Sequence, residues 1–177
     1  GNLCQRVLSF IDKNCSNPWP EDYRDMDNNC GSVRLKQLIK ENGCSKILSL
    51  GSGKGNHLHW LAKDLYKAEV TGVEISETAA VQSRSLFPEF NVIVKPILSY
   101  LQDTTEKFDI IIFRECIWYI LDDLEEIFSI LRSKYPSTYL AIELSFYNDQ
   151  KYGLQHFSEM DELINKYPFS IIEVVKN

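Results

Sequence analysis

From Lys46 onward, short apolar runs take turns with segments of helical periodicity, and few folds accommodate that alternation. The runs "KILSL" (46–50), "AEVTGVEI" (68–75), "NVIVK" (91–95), "FDIIIF" (108–113), "TYLAIELSF" (138–146) and "FSIIEVV" (169–175) read as strands. Between them lie helical segments at 56–66, with Leu58, Leu61, Ala62 and Leu65 on one side, at 77–87 behind Ser76 as N-cap, and at 121–135 and 158–167. Repeated strand–helix–strand units need right-handed crossovers. They predict an α/β fold: a doubly wound, mostly parallel, Rossmann-like sheet with helices on both faces. In such sheets ligands bind beyond the carboxyl ends of the strands, where strand order reverses.

Before Lys46 the pattern differs. Residues 3–14 read as a helix, 15–31 as a loop, and 32–43 as a helix with Ser32 as N-cap and Gly43 as its stop. At 177 residues the chain reads as a single domain, 1–177, in which a helical or lid segment (1–45) covers a cofactor-binding sheet (46–177). Trp19, Tyr23 and Arg24 in the early loop are candidates for a lid or an anchoring contact.

Charge and cysteine usage narrow the partners. A net charge of −6 without a clustered Lys/Arg face disfavours a nucleic-acid substrate. Five cysteines without C-x-x-C spacing suit free thiols in a reducing compartment, and no run approaches a membrane span, so a cytoplasmic protein is expected. His57 and His59 are two apart and do not share a helical face, which argues against a metal pair; no metal is expected.

The first strand runs into "GSGKG", three glycines at alternate positions. Gly51, Gly53 and Gly55 permit positive φ and let a ligand approach the backbone, and the following helix start presents unpaired N–H groups to an anionic group. Glu74 ends the second strand about 20 residues later, where a carboxylate accepts from ribose hydroxyls. Together they imply an adenosine-type ligand. In a dinucleotide dehydrogenase the third glycine falls one position later, at Asn56 here.

"ILSLGSGKGNHLHWLA", "VTGVEIS" and "FDIIIFRECIWYILDDLEEIF" resemble the first, second and fourth-strand motifs of class I S-adenosylmethionine-dependent methyltransferases of the small-molecule branch, over roughly residues 32–175. The resemblance implies strand order 3-2-1-4-5 plus a sixth strand, and S-adenosyl-L-methionine as cofactor. It places Gly51, Ser52, Gly53 and Gly55 at the cofactor, with Gly51 and Gly53 along the methionine part. Glu74 falls on the ribose diol, Ile75 on adenine, a loop around Ile97 and Leu98 on the adenine edge, and Arg114, Glu115 and Cys116 on the pocket floor. Two positions depart from the family. Ser49 stands where an acidic residue is usual, and "KPILS" follows the third strand in place of an acidic residue. A further antiparallel strand is also expected after residue 175, and its absence is read as carboxyl-terminal truncation.

Methyl transfer needs a positioned nucleophile, a proton acceptor where the nucleophile carries a proton, and exclusion of water. Glu115 and Tyr119, four apart after the fourth strand, are candidates to contact the acceptor, and His156 in the loop after the fifth strand is the favoured base. His57 is a further candidate near the cofactor or acceptor, whereas Trp118 is expected to pack. The expected reaction is methyl transfer to an oxygen or nitrogen of a small molecule, and the resemblance extends to sugar or secondary-metabolite acceptors. The alternative, prompted by Ser49, is a non-catalytic cofactor-binding or interaction module with the same fold. Oligomeric state is left open.

Overall fold

The computed structural model describes residues 6–11, 30–146, 150–167 and 169–176, the first of these segments by its backbone. Among the described residues seven strands form one sheet: β1 (Arg6–Ile11), β2 (Lys46–Leu50), β3 (Glu69–Glu74), β4 (Asn91–Val94), β5 (Ile110–Arg114), β6 (Tyr139–Glu143) and β7 (Ser170–Lys176). Their order is β4-β3-β2-β5-β6-β1-β7, and every pairing is parallel. The five strands from β2 to β6 therefore take the expected order 3-2-1-4-5. The reversal falls at β2, whose neighbours are β3 on one side and β5 on the other.

Parallel strands covered on both faces should be apolar, and β5 is so up to its final Arg114: Ile110, Ile111, Ile112 and Phe113 are all buried. Alternation sends Ile111 and Phe113 to one face, against Phe128, Leu131 and Ile142. Ile110 and Ile112 go to the other, against Leu35, Trp60 and Leu61. The first face is covered by α4 (Ile97–Asp103) and α5 (Leu124–Lys134), the second by α1 (Cys30–Glu41), α2 (Asn56–Ala62) and α3 (Glu77–Leu86). A short helix α6 (Met160–Lys166) adds Met160 and Leu163 to the first face.

Three elements differ from the sequence reading. Residues 6–11 form a strand, not part of a helix over 3–14; β1 pairs with β6 on one side and β7 on the other. A short run such as "RVLSFI" suits a buried helix turn and a buried strand equally, and ladder bonds on two sides favour the strand. The sixth strand of the reading, β7, thus joins the sheet through β1. Ile97 and Leu98 lie in a helix, α4, not in a loop. Ser32 lies inside α1 instead of capping it, and its hydroxyl turns to a buried carboxylate described below. By contrast Ser76 does cap α3, accepting from Ala79 N at 3.3 Å. Trp19, Tyr23 and Arg24 lie outside the described residues.

Candidate cofactor and acceptor site

The turn from β2 to α2 carries Gly51 at φ +73° and Gly53 at φ +55°, both in the left-handed region. Their reasons for lacking a side chain differ. A Cβ on Gly51 would come within 2.7 Å of Cys116 Cβ, so the segment after β5 passes directly against it. A Cβ on Gly53 would meet nothing within 4 Å, because that side opens into a cavity. Gly55 serves packing: a Cβ there would lie 2.6 Å from Ser83 Oγ on α3. Ser52 points its hydroxyl at Gly72 on β3 and away from the cavity. Gly55 and Ser52 are thus outside the cavity lining. The backbone N–H groups of Gly51 and Ser52 both donate to Val73 O, at 2.8 and 3.0 Å, which ties the turn to the end of β3.

Glu74, the last residue of β3, accepts from Gly53 N at 2.7 Å through Oε2 and from Ser76 N at 2.9 Å through Oε1. The glycine turn had been expected to receive an anionic ligand group; the anion on Gly53 is the protein's own carboxylate. With only seven residues, α2 adds little field of its own. Glu74 is fixed by two donors and keeps lone pairs free for further hydroxyls.

The cavity encloses about 450 Å³ at the carboxyl ends of β2, β3, β4 and β5. One end is apolar, made by Ile75 after β3 and by Pro96, Ile97 and Leu98 at the start of α4. Glu74 and the glycine turn form the middle, and Arg114, Glu115, Cys116 and Tyr119 form the other end. The structure therefore brings together Gly51, Gly53, Glu74, Ile75, Ile97, Leu98, Arg114, Glu115 and Tyr119 of the residues singled out in the sequence. His156 is not among the lining residues. Its loop packs elsewhere, with Gly153 and Phe157 against Trp118. Trp118 is a packing residue, as expected, and its indole N–H donates to Ser145 O at 3.2 Å.

Glu115 is the strained residue of the site, at φ +52° without being glycine. Its carboxylate accepts from Ser145 Oγ at 2.6 Å and Ser145 N at 3.0 Å, so β5 and β6 are clasped just beyond their ends. Burial raises its pKa above the ordinary carboxyl value; the Ser145 hydrogen bonds oppose the shift and nearby Glu143 adds to it. Tyr119 stands at the rim, largely exposed.

Beside this end of the cavity lies a buried polar cluster that the sequence reading did not assemble. Glu143, at the end of β6 and directly across from Arg114 of β5, is 4% exposed. Its carboxylate accepts from Ser32 Oγ at 3.2 Å, lies 3.2 Å from Arg114 Nε and 3.5 Å from His57 Nε2. Ser32 Oγ also lies 3.2 Å from His57 Nε2. With the serine donating to Glu143, its lone pairs are left for an Nε2–H of His57, and the network assigns that tautomer. Burial, and then the charge of Arg114, push the His57 pKa well below its ordinary value, so the ring is neutral. One signal for this cluster was present: Glu143 is the only charge in the apolar run "TYLAIELSF".

Residues 47–134 match the methyltransferase domain family. Over those residues this is a methyltransferase domain. Among solved structures, it is similar to the plantazolicin methyltransferase BpumL in complex with a pentazolic desmethylPZN analog and SAH, at 20% identity and a TM-score of 0.50, covering 71% of this chain and 54% of that one. The plantazolicin methyltransferase BamL, in complex with a triazolic desmethylPZN analog and SAH, gives 18% identity and a TM-score of 0.50 over 65% of this chain and 46% of that one. At such identities the likeness is one of fold, and this chain spans about half the length of these enzymes. No curated protein matches the sequence.

Proposed function

We propose that this domain binds S-adenosylmethionine across the strand ends and transfers its methyl group to an oxygen or nitrogen of a small molecule. The observation that carries the reading is the polarity of the 450 Å³ cavity along the strand order β4-β3-β2-β5. Three strand spacings span about 14 Å, enough for an extended adenosyl amino acid. Along that span an apolar end at Ile75, Ile97 and Leu98 suits a purine, Glu74 suits a diol, and the charged end at Arg114 suits an amino-acid head. The open space at Gly53 is where a thioether or sulfonium passes the backbone. The solved plantazolicin methyltransferases with SAH support the same ligand class.

The bound cofactor supplies an electrophilic methyl group on a positively charged sulfur. The domain's own residues do the rest by positioning and proton handling. Glu115 lies in the cavity wall with its pKa raised, which favours a carboxylate that takes a proton from an acceptor hydroxyl or amine, and Ser145 holds it in place. Tyr119 borders the route by which an acceptor reaches that carboxylate. With His156 away from the cavity, the base role moves to Glu115. None of the described helices is long and apolar enough to cross a membrane.

Calorimetry with S-adenosylmethionine and S-adenosylhomocysteine tests the reading. Micromolar binding of both is expected. Absence of heat at millimolar ligand would leave only the interaction-module alternative.

A further inference from the structure

Among the described residues that line the cavity Arg114 is the one cation, and Glu74, Glu115 and Asp123 are the carboxylates. Each nearby carboxylate has partners. Glu74 is held by Gly53 and Ser76, Glu115 by Ser145, and Glu143 by Ser32 with Arg114 alongside. The arginine is not used up in the same way. Glu143 lies 3.2 Å from its Nε edge, yet the buried Nε–H has no aligned acceptor, and among the described residues neither terminal nitrogen has a hydrogen-bond partner. A guanidinium carries five donors in a planar fork, and the pair of terminal nitrogens matches a carboxylate with two parallel bonds. His57 beside it is neutral and brings no second charge that would splay the fork away.

We propose that Arg114, steadied at its Nε edge by Glu143, is a carboxylate-binding subsite at the β5 end of the cavity. Two ligands present that chemistry there: the amino-acid head of the cofactor, or a carboxylate on the methyl acceptor. The first source rests on the cofactor reading above; the subsite itself rests on the arginine. Glu143 is a positioning residue, acting on the ligand through Arg114.

The test compares S-adenosylhomocysteine with 5′-methylthioadenosine, the same thioether without the amino-acid head. If Arg114→Gln weakens the first at least tenfold and leaves the second within twofold, the subsite holds the cofactor's carboxylate. Glu143→Gln should then narrow the ratio between the two ligands in the same direction, an effect that loss of stability alone does not produce. If Arg114→Gln leaves both affinities within twofold, acetate is titrated into wild-type protein loaded with S-adenosylhomocysteine while the Arg114 Nε–H resonance is followed by NMR. A saturable shift assigns the subsite to an acceptor carboxylate, and no shift overturns the proposal. Equal loss of both ligands in Arg114→Gln also overturns it. Should wild-type protein bind neither adenosine ligand, the cofactor reading fails by itself. The acetate titration on ligand-free protein then decides the subsite, a saturable shift keeping it and a flat response removing it.

Discussion

Gly53 donates its backbone N–H to Glu74 Oε2 at 2.7 Å, so the turn after β2 and the carboxylate ending β3 form one unit. Removing the carboxylate takes the brace from the turn and, on the proposed reading, the acceptor from a ribose diol. Glu74→Ala should weaken S-adenosylhomocysteine binding roughly 10- to 100-fold, or about 1.4–3 kcal/mol, the scale of hydrogen bonds to a charged group. Glu74→Gln keeps one acceptor oxygen and should lose less. Calorimetry on both variants checks the order.

The two glycines that flank Ser52 should separate stability from binding. In Gly51→Ala the new methyl meets Cys116 Cβ at 2.7 Å and the residue must hold φ +73°. About 3 kcal/mol of destabilisation is expected from overpacking and left-handed backbone together. Gly53→Ala meets no atom of the described residues within 4 Å and should cost only about 1 kcal/mol through its φ. Its methyl stands in the cavity, however, and should reduce cofactor affinity. Denaturant titration and ligand binding, measured on each variant, read the two effects.

Ile75 exposes 71% of its surface next to Glu74, an isoleucine that the described residues leave largely uncovered. Its partner on this reading is the purine. Ile75→Ser should leave the melting temperature unchanged and weaken S-adenosylhomocysteine binding about fivefold, near 1 kcal/mol, in line with the loss of some 40 Å² of apolar contact.

What was legible in the sequence is what local pattern carries. Gly51, Gly53 and Glu74 could be placed because a strand end, a turn and a second strand end lie close together in the chain and recur at fixed offsets. The alternation of strands and helices implied a parallel sheet with right-handed crossovers, whereas the order of β2–β6 was legible only through the resemblance to class I methyltransferases. β1 was missed because pairing with β6, more than 120 residues away, decides its state, and no short window contains that information. The same holds for the polar cluster. Ser32, His57, Arg114 and Glu143 come from four elements, and only the sheet register sets Arg114 opposite Glu143. His156 had the right chemistry, but its loop follows Trp118 and Phe157 into an aromatic contact instead of turning to the cavity.

Glu115 gives a pH signature of known sign. Its folded pKa is raised above the ordinary 4.5, chiefly by burial, so between those two values the folded state binds more protons than the unfolded state. Stability from this group is therefore highest below pH 4.5 and falls as pH rises through the folded value. Glu115→Gln has no charge to bury, and its amide can accept from Ser145 N while donating to Ser145 Oγ. The variant should gain on wild type as pH rises from 4 to 8. Denaturant midpoints of both proteins across that range check the sign, and an unchanged difference would remove the burial argument for Glu115.

His57 acts in the opposite direction. Burial, and then Arg114, hold its folded pKa well below the ordinary 6.5, so the unfolded chain takes up a proton that the folded protein refuses. Its contribution is complete above pH 6.5 and is lost as pH falls toward the depressed folded value. His57→Gln preserves a donor for Ser32 and does not titrate. Relative to wild type it should therefore look worse at pH 8 than at pH 5.5, where the wild type pays for a histidine that must stay neutral. Carbon-13 NMR of labelled histidine supplies the direct reading: the His57 ring should keep neutral shifts, with the proton on Nε2, throughout the folded range. A ring that titrates near pH 6.5 would mean the Ser32–His57–Glu143 network is open to water, and the fixed charge state beside Arg114 would be lost with it.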